Sequence, residues 1–240
     1  MPGSRFMHEF SARSLVRLLL LSGLVLVMGL GLRLSQAEQA ARIDFDVMRG
    51  AMQERYGSQG VEAVNAWESL LRELDGRPVR EQLRDVNRFF NERIRFGEDQ
   101  DVWGKPDYWA TPLESLGEGR GDCEDYSIAK YVSLRILGVP NEQLRLIYVR
   151  ARIGGRYSSV SQAHMVLGYY PTSDAEPLIL DNLVGEVRPS AERDDLQPVF
   201  SFNSDGLWTP GARSSQADPT ARISRWGNVL QRLEQEGFRQ

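Results

Sequence analysis

The spacing of apolar residues changes near residue 140, and this change restricts the fold more than any other feature of the chain. Upstream, apolar side chains recur three or four residues apart, the period of one helix face. Phe45, Met48, Met52 and Tyr56 predict a helix over Arg42–Arg55 with Gly57 as its C-cap. Val61, Val64, Leu70, Leu71 and Leu74 predict a second over 61–74. Leu83, Val86, Phe89, Phe90 and Ile94 predict a third, opened by Pro78 and running to Arg95. Tyr126, Ala129, Val132 and Ile136 mark a fourth, stopped by Gly138 and Pro140. Downstream, Leu144–Ile153, Ala163–Tyr170 and Pro177–Leu183 are rich in β-branched and aromatic residues and alternate in part, which predicts strands. Pro198–Phe202 and Leu207–Trp208 flank Asn203-Ser204-Asp205-Gly206, a hairpin signature. Ile223–Phe238 closes the chain as a short amphipathic helix through Trp226, Leu230 and Leu233. Helices first and strands after, joined by short turns, specify an α+β domain with an antiparallel sheet in its C-terminal lobe.

The first 37 residues read as a leader, not as fold. Arg5, Arg13 and Arg17 form a basic start, Leu18 to Leu32 an apolar run too short for a comfortable membrane span, and Ser35-Gln36-Ala37 a small-x-small end. A signal peptide cleaved near Ala37 is expected, and with it export. The alternative is an uncleaved anchor, which Arg33 after the apolar run favours. Residues 38–240 then form one domain. Removing the leader's four arginines and one glutamate from 29 basic and 33 acidic residues leaves a net charge of −7. No basic stripe remains, so nucleic acid is excluded as a partner.

The chain has one cysteine, Cys123, and two histidines, of which His8 lies in the leader. Cysteine–histidine chemistry in the mature chain can therefore use only Cys123 and His164. Cys123 follows the glycine-rich turn Gly117–Gly121 and opens the fourth predicted helix, where free backbone N–H groups and the positive dipole end favour a thiolate. His164 stands at the start of its strand, sharing a face with Val166, Gly168 and Tyr170. Counting back from the turn at 171–176 sets Asp181 across from the His164–Val166 region. Sulfur, imidazole and carboxylate make a nucleophile, a base and an orienting group. Two placements fit Trp103, Tyr108 and Trp109 in the long predicted loop Phe96–Gly121: walls of a cleft beside Cys123, or core cover for its helix.

Asp122, Glu124 and Asp125 crowd the thiol with negative charge, which raises a thiol pKa and opposes the helix dipole. A hard cation would balance that charge, and carboxylates are calcium-type ligands. The spacing is not that of an EF-hand loop.

Four blocks, taken together, carry a resemblance. Asp107-Tyr108-Trp109-Ala110-Thr111-Pro112, Gly119-Arg120-Gly121-Asp122-Cys123-Glu124-Asp125, Ala163-His164-Met165-Val166-Leu167 and Leu180-Asp181-Asn182-Leu183 resemble the bacterial transglutaminase-like cysteine proteases. The resemblance implies a papain- and transglutaminase-like fold. It implies a Cys-His-Asp triad at Cys123, His164 and Asp181, and calcium held by Asp122 and Glu124, with Asp125 a further candidate. It also implies a periplasmic endopeptidase. The expected substrate is a giant surface adhesin, cut near its N-terminal end at an Ala-Ala site so that the cell leaves a biofilm. The expected partner is an inner-membrane cyclic-di-GMP receptor that sequesters the protease. Two other readings use the same residues: acyl transfer to an amine, as in a transglutaminase, and a calcium-binding module whose cysteine is inert.

Overall fold

In a computed structural model of the chain, the described residues are 42–239, with Arg213 excepted. The expected leader lies outside them. Among the described residues no helix is long and apolar enough to cross a membrane.

The chain enters by a short strand, β1 (Arg42–Ile43), and then α1 (Phe45–Leu74), capped by the Asp44 carboxylate. Gly57 takes a left-handed φ of 63°, as its expected C-cap role requires, but the chain resumes its helix at once. The two predicted helices are therefore one kinked element, because glycine accepts that dihedral without steric cost. α2 spans Val79–Arg93 behind Pro78.

The predicted loop 96–121 is largely ordered into short elements. β2 (Arg95–Phe96), α3 (Asp99–Val102), α4 (Pro112–Glu118) and β3 (Arg120–Gly121) occupy it, and β2 pairs β3 in parallel. The signal for α4 was present as Thr111-Pro112-x-Glu114. The Thr111 hydroxyl and the Glu114 carboxylate cap each other's backbone, and Pro112 sits at the first helical position.

α5 (Cys123–Ile136) is the central helix. Ile128, Ala129, Tyr131, Val132 and Leu134 are wholly buried, so α5 is covered by α2 and α4 as well as by the sheet. The sheet contains β4 (Leu144–Arg152), β5 (Ser161–Tyr169), β6 (Leu178–Leu180), β7 (Arg188–Pro189), β8 (Leu196–Phe202) and β9 (Leu207–Trp208). Its order is β7-β6-β5-β4-β8-β9, antiparallel at every named pair. Alternation sends Leu144, Leu146, Met165, Leu167 and Leu180 into the main core with α5, and Ile147, Val149, Val166 and Ile179 into a smaller cluster on the far face.

α6 (Pro219–Arg222) and α7 (Ser224–Gln235) close the chain, with Trp226, Val229 and Leu233 buried. The expected helix to Phe238 stops early. Gly237 has a φ of 94°, and Phe238–Arg239 forms β10 against β1.

Candidate active site

Cys123 occupies the first turn of α5. Asp122 is the N-cap: its carboxylate accepts from the Glu124 N–H at 3.3 Å, while Asp125 accepts in return from the Asp122 N–H at 3.3 Å. This reciprocal box aims the helix N-terminus. A Cβ at Gly121 would lie 2.5 Å from Asp125 Oδ2, so only glycine fits beneath the cap.

β6 and β5 bring the other two predicted residues together. Leu180 pairs with Leu167, which sets Asp181 beside the His164–Val166 stretch, within the expected register. The strand is shorter than predicted, ending at Leu180, so Asp181 is the first residue beyond it. His164 Nε2 and Asp181 Oδ1 are 2.8 Å apart, and both residues are buried. The same Asp181 oxygen accepts from the Leu183 N–H at 3.0 Å, and Oδ2 accepts from Arg193 Nη2 at 2.6 Å. Asn91 of α2 holds the Asp181 carbonyl at 2.8 Å. Burial alone would push the Asp181 pKa up. The hydrogen bond and charge of His164, with Leu183 and Arg193, outweigh it and hold the group at about 2.

The sulfur and the imidazole approach through the edge of β5. Ser127, one turn after Cys123, donates to the Met165 carbonyl at 3.1 Å, and the Met165 backbone faces the sulfur and favours its thiolate. Met165 directly follows His164. The thiol itself donates to Glu124 Oε2 at 2.8 Å, and among the described residues His164 Nδ1 makes no hydrogen bond. The start of α5 is thus tied to β5 at Met165, beside His164, with the Cys123 thiol turned to Glu124. Burial, then Glu124 and Asp122, drive the Cys123 thiol pKa far up.

The acidic cluster extends beyond the expected residues. Asp99 of α3 brings a carboxylate oxygen within 4.8 Å of oxygens from Asp122 and Asp125, and Glu124 forms a second group with Asp122 and Cys123. Burial and mutual repulsion push Asp122 up to about 10 and Asp125 up to about 8, and burial raises Asp99. Asp99 Oδ2 accepts from the Tyr108 N–H at 2.5 Å, but buried Oδ1 has no hydrogen-bond partner among the described residues. Three crowded carboxylates, one with an orphaned buried oxygen, form the donor set a hard divalent cation fits. Of the expected ligands, Asp122 lies in both groups, Asp125 in the Asp99 group, and Glu124 only in the group with the sulfur. Asp99 was missed by sequence reasoning. Its signal was the acidic run Glu98-Asp99-Gln100-Asp101, which no local rule ties to Cys123.

Of the loop aromatics, one takes the core placement, and Trp103 packs on Tyr108 with ring centres 5.1 Å apart. Trp109 is core, stacked on Phe202 at 5.7 Å. Half-buried Tyr108 donates to Glu114 at 2.8 Å, and Arg232 binds both, along with the Trp109 carbonyl. The electrostatic surroundings of Tyr148 include Cys123 and Glu124, and its ring stacks on Phe200 at 5.2 Å. A cavity of about 620 Å3 opens instead on the far face of the sheet, over Ile147, Val166 and Ile179, with Arg193 in its wall. The chemistry-bearing side chains do not line it.

Comparison with known proteins places the chain in a family. The family described as bacterial transglutaminase-like cysteine proteinase BTLCP matches residues 69–194, which include Cys123, His164 and Asp181. Among solved structures, EGTA-treated Legionella pneumophila LapG is 37% identical with a TM-score of 0.69, covering 81% of this chain and 100% of its own. Calcium-bound Legionella pneumophila LapG is 36% identical with a TM-score of 0.68, covering 80% of this chain and 99% of its own. No curated protein matches. The matched segment spans more than half of the chain and the shared fold extends over most of it, so this protein belongs to the bacterial transglutaminase-like cysteine proteinase family, with a transglutaminase-like α+β fold.

Proposed function

We propose that this chain is an exported, periplasmic, calcium-dependent cysteine endopeptidase. Its proposed substrate is a large surface adhesin, cut in the N-terminal region at an Ala-Ala type site, which frees the adhesin and promotes biofilm dispersal. Its proposed partner is an inner-membrane cyclic-di-GMP receptor that sequesters it. One observation carries the enzymatic reading: the buried His164–Asp181 pair at 2.8 Å, next in the strand to the backbone that faces the chain's one thiol.

The roles follow from the hydrogen bonds. Asp181 is ionised and accepts from Nε2, so neutral His164 carries its proton there and presents Nδ1 as the base. The thiol swings from Glu124 to Nδ1 and gives up its proton. The thiolate attacks the scissile carbonyl, and the Cys123 N–H at the helix start donates to the oxyanion. The imidazolium protonates the leaving amine, and water activated by Nδ1 then hydrolyses the thioester. Asp181, pinned by Arg193 and Leu183, holds the ring through both steps. Asp99, Asp122 and Asp125 are the residues that would hold calcium, with Glu124 beside them. When bound, the ion supplies the positive charge that offsets repulsion around the thiol.

The test is incubation with the N-terminal region of a large adhesin from the same genome. Cleavage is expected with calcium and none after EGTA. Cys123→Ala should abolish cleavage with an unchanged circular dichroism spectrum. Cleavage by metal-free protein would end the calcium role, and cleavage by the alanine variant would end the enzymatic one. Product mass separates a cut peptide from one transferred to an amine.

A further inference from the structure

The two neighbours of β5 in the sheet are unequal in length. β5 runs for nine residues and is paired with β4 along all of it, from Leu144↔Tyr169 to Arg152↔Ser161. On its other side β6 has only three residues and covers only Leu167, Gly168 and Tyr169. Beyond Leu180 the chain leaves that track at Asp181. The first half of β5 is therefore an edge, and Ser161, Gln162 and Ala163 on it are exposed.

The direction of the free backbone groups follows from the ladder. In an antiparallel strand, the N–H and C=O of successive residues point alternately to the two sides. The Tyr170 N–H reaches the Gln143 carbonyl, on the β4 side. The Met165 carbonyl accepts from Ser127 of α5, on the opposite side. Even-numbered positions of β5 thus serve β4. Ser161 and Ala163, of the same parity as Met165, turn their N–H and C=O groups to the open edge. Along that edge come Ser161, Ala163 and then Met165, whose backbone faces the Cys123 sulfur, with His164 between the last two.

We propose that this edge is the substrate-binding track: an extended segment of the polypeptide to be cut adds as a strand to Ser161–Ala163, its backbone exchanging hydrogen bonds with the Ala163 N–H and C=O. The proposal rests on the endopeptidase reading and deepens it. Strand addition fixes the depth and orientation of a peptide through its main chain, so the scissile bond arrives at the sulfur in one register. It also sets a requirement on the substrate: the cut must lie in a segment that is extended and unpaired, since a helix or a strand already in a sheet has no free backbone to offer. The other edges do not offer this. β7 and β9 end the sheet two and three strands from β5, and the part of β8 that β9 leaves uncovered, Leu196–Phe200, lies two strands from β5 and carries Pro198, which has no N–H to offer.

The test uses the full mature chain with Cys123→Ala and a short synthetic peptide centred on an Ala-Ala bond, in calcium. Saturating peptide should slow hydrogen exchange at the Ala163 amide, read by NMR, by at least about tenfold, the size expected for one backbone hydrogen bond. Gln162, whose amide already faces β4, serves as internal control and should change little. In the active enzyme, Ala163→Pro removes the edge N–H without touching the β4 ladder, which an edge strand tolerates. It should raise KM about five- to tenfold with kcat nearly preserved. Should that variant misfold, peptides N-methylated one position at a time leave the enzyme intact, and one methyl near the cut should produce the same rise in KM. A peptide that is bound and cut while the Ala163 amide exchanges at its free rate overturns the edge proposal alone. So does a methyl scan in which every analogue retains the parent KM. A peptide that neither binds the alanine variant nor is cut by the active enzyme takes the endopeptidase reading down with it.

Discussion

Three side chains set the character of the site. Asp181 is held at about 2, below its ordinary 3.8, by His164, Leu183 and Arg193 working against burial. A carboxylate whose pKa falls on folding stabilises the fold above its unfolded pKa, and that contribution disappears as pH falls toward the folded value. Thermal unfolding scans should therefore show wild type losing on the order of 2 kcal/mol between pH 4 and pH 2 that Asp181→Asn does not lose. Equal slopes for the two proteins would refute this role. Lys130 is the opposite case. Its ammonium is buried in α5 with no hydrogen-bond partner among the described residues, 5.5 Å from the Tyr126 ring centre. Burial brings it down to about 7, against the pull of Asp181. Between pH 7 and its unfolded pKa of 10.5, the unfolded chain binds more protons, so stability should rise with pH across that window. Lys130→Met, close in volume and free of charge, should raise Tm at pH 7 and flatten the rise. A lower Tm for the methionine variant would mean that the ammonium has a stabilising partner. Cys123 could be singled out from the sequence because nothing else in the chain offers a thiol. The thiol's turn toward Glu124 could not, since a rotamer is chosen by local packing and charge.

At the scale of elements, periodicity exposed the long pieces and missed the short ones. α2, α5, β4 and β5 fall within a few residues of their expected bounds, because each buries one face or stripe and the pattern repeats several times. α3, α4 and the β2–β3 pair are too short to repeat, and their stability comes from caps and neighbours. α4 shows this most directly. Thr111 is fully buried, caps Glu114 and donates to Glu236 from the end of the chain at 2.9 Å. Thr111→Ala should cost about 1–2 kcal/mol in urea unfolding, at the upper end for a cap because a distant carboxylate loses its partner too. A change under a few tenths would show that the capping box contributes nothing here. The β6 strand was expected to reach Leu183. Its early end places Asp181 in a turn where three hydrogen bonds converge on its carboxylate, an arrangement a continuous ladder would not allow.

For the whole molecule, the acidic cluster joins segments distant along the chain: α3, the N-terminus of α5 and, through hydrogen bonds, the Tyr108–Ala110 stretch. A cation bound there would be linked to global stability by mass action, about 2.7 kcal/mol at a hundredfold excess over Kd. Calorimetry should show calcium raising the Tm of the wild-type protein, and Asp99→Asn should reduce both that rise and the heat of calcium titration. An unchanged response in the asparagine variant would remove Asp99 from the ligand set. The order of helices and strands, the export leader as an expectation, and the singular thiol and histidine were all present in the sequence, because composition and period are local properties. Which carboxylates meet was decided by the tertiary structure alone. Asp99 and Asp122 are brought together by the parallel pairing of β2 with β3, and Asp181 meets His164 through the register of β5 with β6. Those approaches are set by how α5 is buried against the sheet and the helices around it, a condition on the packed molecule that no window of residues contains.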